Sequence, residues 1–120
     1  MLSTILLAED EAFLQSAFQL ALEDNGAIVH TAMNGEEVIR QIDTRVPDLL
    51  LLDLLMPKKD GYAVLAHIRE KGYRFPVVIL SNLEGEIDKD TCLALGAVDY
   101  IVKSDTDEDE LWMRIKPYLD

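Results

Sequence analysis

The chain has 120 residues, 49% of them hydrophobic, with a single cysteine and a formal net charge of −12. That length holds one folded domain, 1–120, and that apolar content excludes a disordered chain. The acidic balance argues against direct contact with DNA, RNA or an anionic membrane surface, and the lone Cys92 rules out an internal disulfide and a cysteine-based zinc site.

Thr4 to Ala8 is a short apolar run of strand formers that stops at Glu9-Asp10-Glu11. A helical pattern follows, with Phe13, Leu14, Ala17, Phe18, Ala21 and Leu22 spaced for one face and Asn25-Gly26 closing it. Ala27 to Ala32 reads as a second strand. Asn34-Gly35 turns the chain into a short helix with Val38, Ile39 and Ile42 on its core side. After Pro47 comes the densest apolar stretch, four consecutive leucines from Leu49 to Leu52, ending in Asp53 and broken at Pro57. Such a run fits a strand buried on both faces of a parallel sheet. A charge is costly inside it, so Asp53 is expected where the strand emerges.

The second half repeats the rhythm. Gly61 to Glu70 carries Tyr62, Val64, Leu65 and Ile68 at helical spacing, closed by Lys71-Gly72. Phe75 to Leu80 is a fourth strand, ending at Ser81-Asn82. A helix through Ile87, Cys92 and Leu95 stops at Gly96, and Ala97 to Val102 is a fifth strand ending at Lys103. The acids of Thr106 to Glu110 favour the positive end of a last helix. Leu111, Trp112, Ile115, Tyr118 and Leu119 form its stripe, which Pro117 should end early. No run is long enough to span a membrane and no basic leader opens the chain, so a cytoplasmic location is expected.

Five strands alternating with five helices predict an α/β fold with a doubly wound parallel sheet covered on both faces. Right-handed crossovers at this size favour the flavodoxin-like strand order 2-1-3-4-5. That order puts the first and third strands side by side. Glu9, Asp10 and Asp53 then meet at one sheet edge, with Ser81 and Lys103 arriving from strands four and five. Each residue alone has an ordinary explanation: helix-capping acids, a turn serine, a solvated lysine. Their convergence on one edge does not. Crowded carboxylates need a counter-charge, and Mg2+ suits a few carboxylates, waters and phosphate oxygens. Asp53 is then placed to attack phosphorus, with Lys103 and the Ser81 hydroxyl on the phosphoryl oxygens.

The stretches Ile5 to Asp10, Pro47 to Pro57, Asp60-Gly61, Pro76 to Ser81 and Gly96 to Lys103 together resemble the response-regulator receiver domains (CheY-like) of two-component signalling. The resemblance covers nearly the whole chain, in order. It implies Asp53 as phosphoacceptor, with Asp10 a direct Mg2+ ligand, Glu9 acting through water, and the backbone carbonyl of Leu55 completing the protein's share. It implies Lys103 and Ser81 as phosphoryl contacts and Tyr100 as the aromatic that rotates behind the hydroxyl. The donor it implies is a phosphohistidine on a sensor histidine kinase or phosphotransfer protein, or a small acyl phosphate. The downstream protein partner is expected on the face of the fourth helix, fifth strand and fifth helix. The chain is expected as a monomer or a phosphorylation-linked dimer, a switch with no enzyme activity beyond its own phosphorylation and slow dephosphorylation.

Three departures qualify this picture. Asn82 follows the switch hydroxyl where a small residue is usual, so the amide either hinders the phosphoryl group or adds a hydrogen bond. Ser104 follows Lys103 where the family has proline, so a cis peptide bond is not expected there. Leu55 and Leu83, two positions beyond Asp53 and Ser81, are both apolar, which should restrict water and prolong the phosphorylated state. The competing reading is a pseudo-receiver, a constitutive interaction module, which Asn82 mildly favours and the full set of Glu9, Asp10, Asp53, Ser81 and Lys103 opposes. An aspartyl-nucleophile phosphatase would need an Asp-x-Asp pair after the first strand. A flavin carrier would need hydroxyls where the chain has Glu9-Asp10-Glu11. A stand-alone receiver is the expected context.

Overall fold

The computed structural model describes residues 2–82 and 86–119. Leu83 and the side chain of Ile87 lie outside them. Five parallel strands form one sheet in the order β2-β1-β3-β4-β5, where β1 is Thr4–Ala8, β2 Ile28–Ala32, β3 Leu49–Leu52, β4 Val77–Ser81 and β5 Asp99–Val102. The helices are α1 (Ala12–Asp24), α2 (Gly35–Thr44), α3 (Gly61–Lys71), α4 (Glu86–Ala94) and α5 (Glu108–Ile115). Short 3-10 turns follow β5 at Lys103–Asp105 and α5 at Lys116–Tyr118, the second with Pro117 in it. Proline has no N–H to continue the α-helical ladder, so α5 ends where its ring begins.

The leucine run shows why the sheet sits where it does. All four residues of β3 are buried, and their alternation serves both faces. Leu50 and Leu52 join Val38 and Ile42 of α2, Val64, Leu65 and Ile68 of α3, and Cys92 of α4. Leu49 and Leu51 join Phe18 and Leu22 of α1 and Leu111 and Ile115 of α5. One strand thus seals two apolar layers. Burying each such side chain stabilises the fold by about 1.5–3 kcal/mol.

Several boundaries and one face differ from the sequence expectations: β2 begins at Ile28 rather than Ala27, α3 runs one residue further, to Lys71, and β4 reaches Ser81. β4 begins at Val77 because Pro76 cannot donate, although its carbonyl still accepts from Leu50. β5 begins at Asp99, because Ala97 is still tied back to Cys92 at the end of α4. Phe13 does not share the core face of α1. It is 82% exposed, because it lies about 100° around the helix from Leu14, away from the Leu14–Phe18–Leu22 line. No helix is long and apolar enough to cross a membrane among the described residues.

Register carries the site. Ala8 of β1 pairs with Leu52 of β3, and Ser81 of β4 pairs with Val102 of β5. Glu9, Asp53 and Lys103 each come one residue after their strands, so all three emerge at the same edge.

Candidate functional site

The next residues after β1 and β3 keep their backbones in the sheet's network. The Glu9 N–H donates to the Ala32 carbonyl at 3.0 Å and the Asp53 N–H to the Ala8 carbonyl at 3.1 Å. Their side chains therefore have fixed origins. Glu9 is 1% exposed, Asp53 4% and Ser81 0%, each buried as a whole residue. Asp10 is exposed at the rim. One oxygen from each of Glu9, Asp10 and Asp53 falls within 4.8 Å of the others, a spacing that a single cation can span.

Lys103 reaches into this group from the far end of the chain. Its Nζ donates to Glu9 Oε2 at 2.8 Å and to Asp53 Oδ2 at 3.2 Å. The second Asp53 oxygen, Oδ1, accepts from the Leu55 N–H at 3.2 Å, and Glu9 Oε1 accepts from the Glu11 N–H at 3.1 Å. Every carboxylate oxygen of the two buried acids has a donor.

The electrostatics oppose one another. Burial pushes the Glu9 and Asp53 carboxyls above their ordinary values, and Lys103 pulls both back down without cancelling the effect. Burial disfavours the Lys103 ammonium, but its contacts with Glu9 and Asp53 outweigh that and hold it above its ordinary value. The three groups form a tightly bound ion cluster in which two carboxylates face one ammonium.

Beside the cluster, Tyr100 of β5 is 7% exposed. Burial raises its phenol, and a hydrogen bond with Ser81 partly offsets that rise. The hydroxyl at the sheet edge is thus linked to the aromatic ring next to it. Asn82 is exposed, and Leu55 is 60% exposed. The Lys103–Ser104 peptide bond is trans.

The sequence did not single out Gln15. Its Nε2 donates to the Glu9 carbonyl at 3.0 Å and to the Ala32 carbonyl at 3.3 Å, bridging the two loops that border the acids. The only signal available was a polar residue one turn into a helix that follows the acids. That pattern is too common to point to a site.

Residues 5–116 match the family model described as the response regulator receiver domain. Over 112 residues the chain is 39% identical to the transcriptional regulatory protein DltR of Streptococcus agalactiae, covering 93% of this chain and 50% of that protein. It is 39% identical over 99 residues to the alkaline phosphatase synthesis transcriptional regulatory protein PhoP of Bacillus subtilis, covering 82% of this chain and 41% of that one. The chain spans about half the length of these curated relatives. Among solved structures, the receiver domain of the Francisella response regulator 1452 superposes with a TM-score of 0.92 at 30% identity, covering 98% of this chain and 96% of that one. The BeF3-activated receiver domain of Klebsiella pneumoniae RstA gives 0.90 at 28% identity, covering 97% of each chain.

Proposed function

The chain belongs to the response regulator receiver domains, and from that premise we propose that it is a signalling switch phosphorylated on Asp53. The observation that carries this reading is the Glu9–Lys103–Asp53 cluster, which buries a carboxylate, keeps it hydrogen-bonded and leaves a cation's worth of negative charge beside it. Asp10, Asp53 and the Leu55 carbonyl would hold Mg2+, with Glu9 acting through water. The metal supplies charge neutralisation on the phosphoryl oxygens.

An Asp53 oxygen attacks phosphorus as the donor's P–N bond, in a phosphohistidine, or P–O bond, in an acyl phosphate, breaks. The leaving group departs with the bonding electron pair. Lys103, already bound to Asp53, moves its charge onto the arriving phosphoryl group. Ser81 gives it a hydroxyl hydrogen bond in exchange for its bond with Tyr100. Tyr100 and the face of α4, β5 and α5 then shift between two arrangements, and that face meets the downstream partner.

The unit acts as a single receiver over 1–120, in the cytoplasm, with a sensor kinase or phosphotransfer protein upstream. It is a monomer or a phosphorylation-linked dimer and does not itself bind nucleic acid. Apolar Leu55 slows hydrolysis, and Leu55→Asn should shorten the phosphorylated lifetime. Asn82 tunes access to the same site.

The test is incubation with Mg2+ and acetyl phosphate followed by intact mass. A gain of one phosphoryl group in the wild type, lost in Asp53→Ala, is the expected result. No gain with acetyl phosphate or a phosphohistidine donor would overturn the reading in favour of a constitutive interaction module.

A further inference from the structure

The segment from Asp53 to Gly61 carries both the acceptor and the Leu55 carbonyl, and it is held in an unusual way. Leu54 and Met56 are buried in the α2–α3 core, whereas Leu55 between them points to solvent. Those two anchors fix the start of the segment. Beyond them, Lys58 has a φ of 70°, a left-handed conformation that a lysine adopts at a cost. The Lys59 N–H closes a three-residue turn onto the Pro57 carbonyl at 2.9 Å. Such a γ-turn with positive φ is rare and strained, so something outside the turn must hold it.

That support is the start of α2. Gly35 is buried, and a Cβ there would collide with the Lys59 carbonyl oxygen, lie 2.6 Å from Lys59 Cβ and 2.7 Å from the carbonyl carbon. The obstacles are backbone and a first side-chain carbon, which cannot swing aside. Asn34 caps the helix at this point, its Oδ1 accepting from the Glu37 N–H at 2.9 Å, so the helix start is itself fixed. At the other end of the segment, Gly61 lies where a Cβ would come within 2.8 Å of the Asp53 carbonyl oxygen.

We propose that Gly35 is a positioning residue for the metal-binding segment: its missing side chain seats the Lys59 carbonyl and so keeps the 54–60 segment, with the Leu55 carbonyl, closed over Asp53. The inference rests on the metal reading of the site. It predicts that a methyl group at position 35, on a different element from any acid of the cluster, weakens divalent-cation binding.

The test is calorimetric titration of the metal-free protein with Mg2+ alone, with thermal unfolding of the same metal-free samples as a control. Gly35→Ala is expected to weaken affinity by about tenfold, the scale of a lost supporting contact around a metal site. Adding Lys59→Gly, which removes one of the colliding carbons and frees the turn, should restore part of the loss. Lys58→Val provides a second route at an exposed position. A β-branched residue resists the left-handed conformation, so affinity should fall, whereas Lys58→Gly should retain it. Wild-type affinity in a folded Gly35→Ala would overturn the inference while leaving the metal reading intact. If Gly35→Ala does not fold, unchanged affinity in Lys58→Val alone overturns it. A wild-type protein that binds no Mg2+ would overturn both.

Discussion

The two ends of β5 carry the same chemical pairing in opposite surroundings. Just past its C-terminal end, Lys103 bridges Glu9 and Asp53, with side chains 7%, 1% and 5% exposed. At its N-terminal end, Asp99 accepts from Arg114 Nη2 at 2.9 and 3.0 Å, with the arginine 48% and the aspartate 21% exposed. By hydrogen-bond geometry the two look alike. They differ in what happens when a partner is removed, because at one end water can replace it and at the other it cannot. The lesson is that the length of an ion pair says little and its access to water says most.

Removing Lys103 should give the largest effect. Lys103→Ala leaves two buried carboxylates facing each other, and the metal-free protein should lose about 3 kcal/mol in urea denaturation. Added Mg2+ should recover part of that loss. If Lys103→Ala costs no more than Arg114→Ala, the contrast between the two ends fails. Asp53→Asn removes a buried charge whose ionised form the fold disfavours, and should stabilise the metal-free protein by on the order of 1 kcal/mol. A loss of stability would show that the Lys103 and Leu55 contacts outweigh burial. Arg114→Ala, at a half-exposed pair, should cost less than about 1 kcal/mol, and the cost should shrink in high salt.

The smallest and most diagnostic effect is on pH dependence. Glu9 and Asp53 are raised above the ordinary 4.5 and 3.8, so on acidification the folded state takes up their protons before the unfolded state does. Their contribution is complete below those ordinary values and is lost as pH rises through the raised ones. Asp43 works the other way: its bonds from Tyr73 and then His67 lower it, so its contribution is present above 3.8 and is lost as pH falls through the lowered value. Glu9→Gln removes one raised group and leaves Asp43 alone. The stability difference between Glu9→Gln and the wild type, without metal, should shift in favour of the variant as pH climbs from the acid side to neutrality. A difference that does not change with pH would mean that Lys103 already compensates Glu9 fully.

The sheet was legible because its strands announce themselves twice, by apolar runs and by the residue types that stop them. Leu49 to Leu52 could hardly be anything but a strand buried on both faces. The acids became legible once the strand order put their positions side by side. What the pattern could not supply was orientation within a helix or the shape of a loop. Phe13 fits an apolar spacing but points away from the core, because a tolerant pattern of six apolar positions covers more of α1 than one face can bury. Gln15, and the seat that Gly35 makes for Lys59, depend on loops meeting from distant parts of the chain, and no local periodicity encodes such meetings.

The bond between Lys103 and Glu9 joins positions 94 residues apart in a chain of 120. During synthesis, the acids of β1 and β3 exist long before the cation that balances them. A chain stalled short of β5 has both carboxylates in its sequence but not the ammonium that bridges them. Closing the last strand against β4 is therefore also what brings in the cation that bridges the two buried acids.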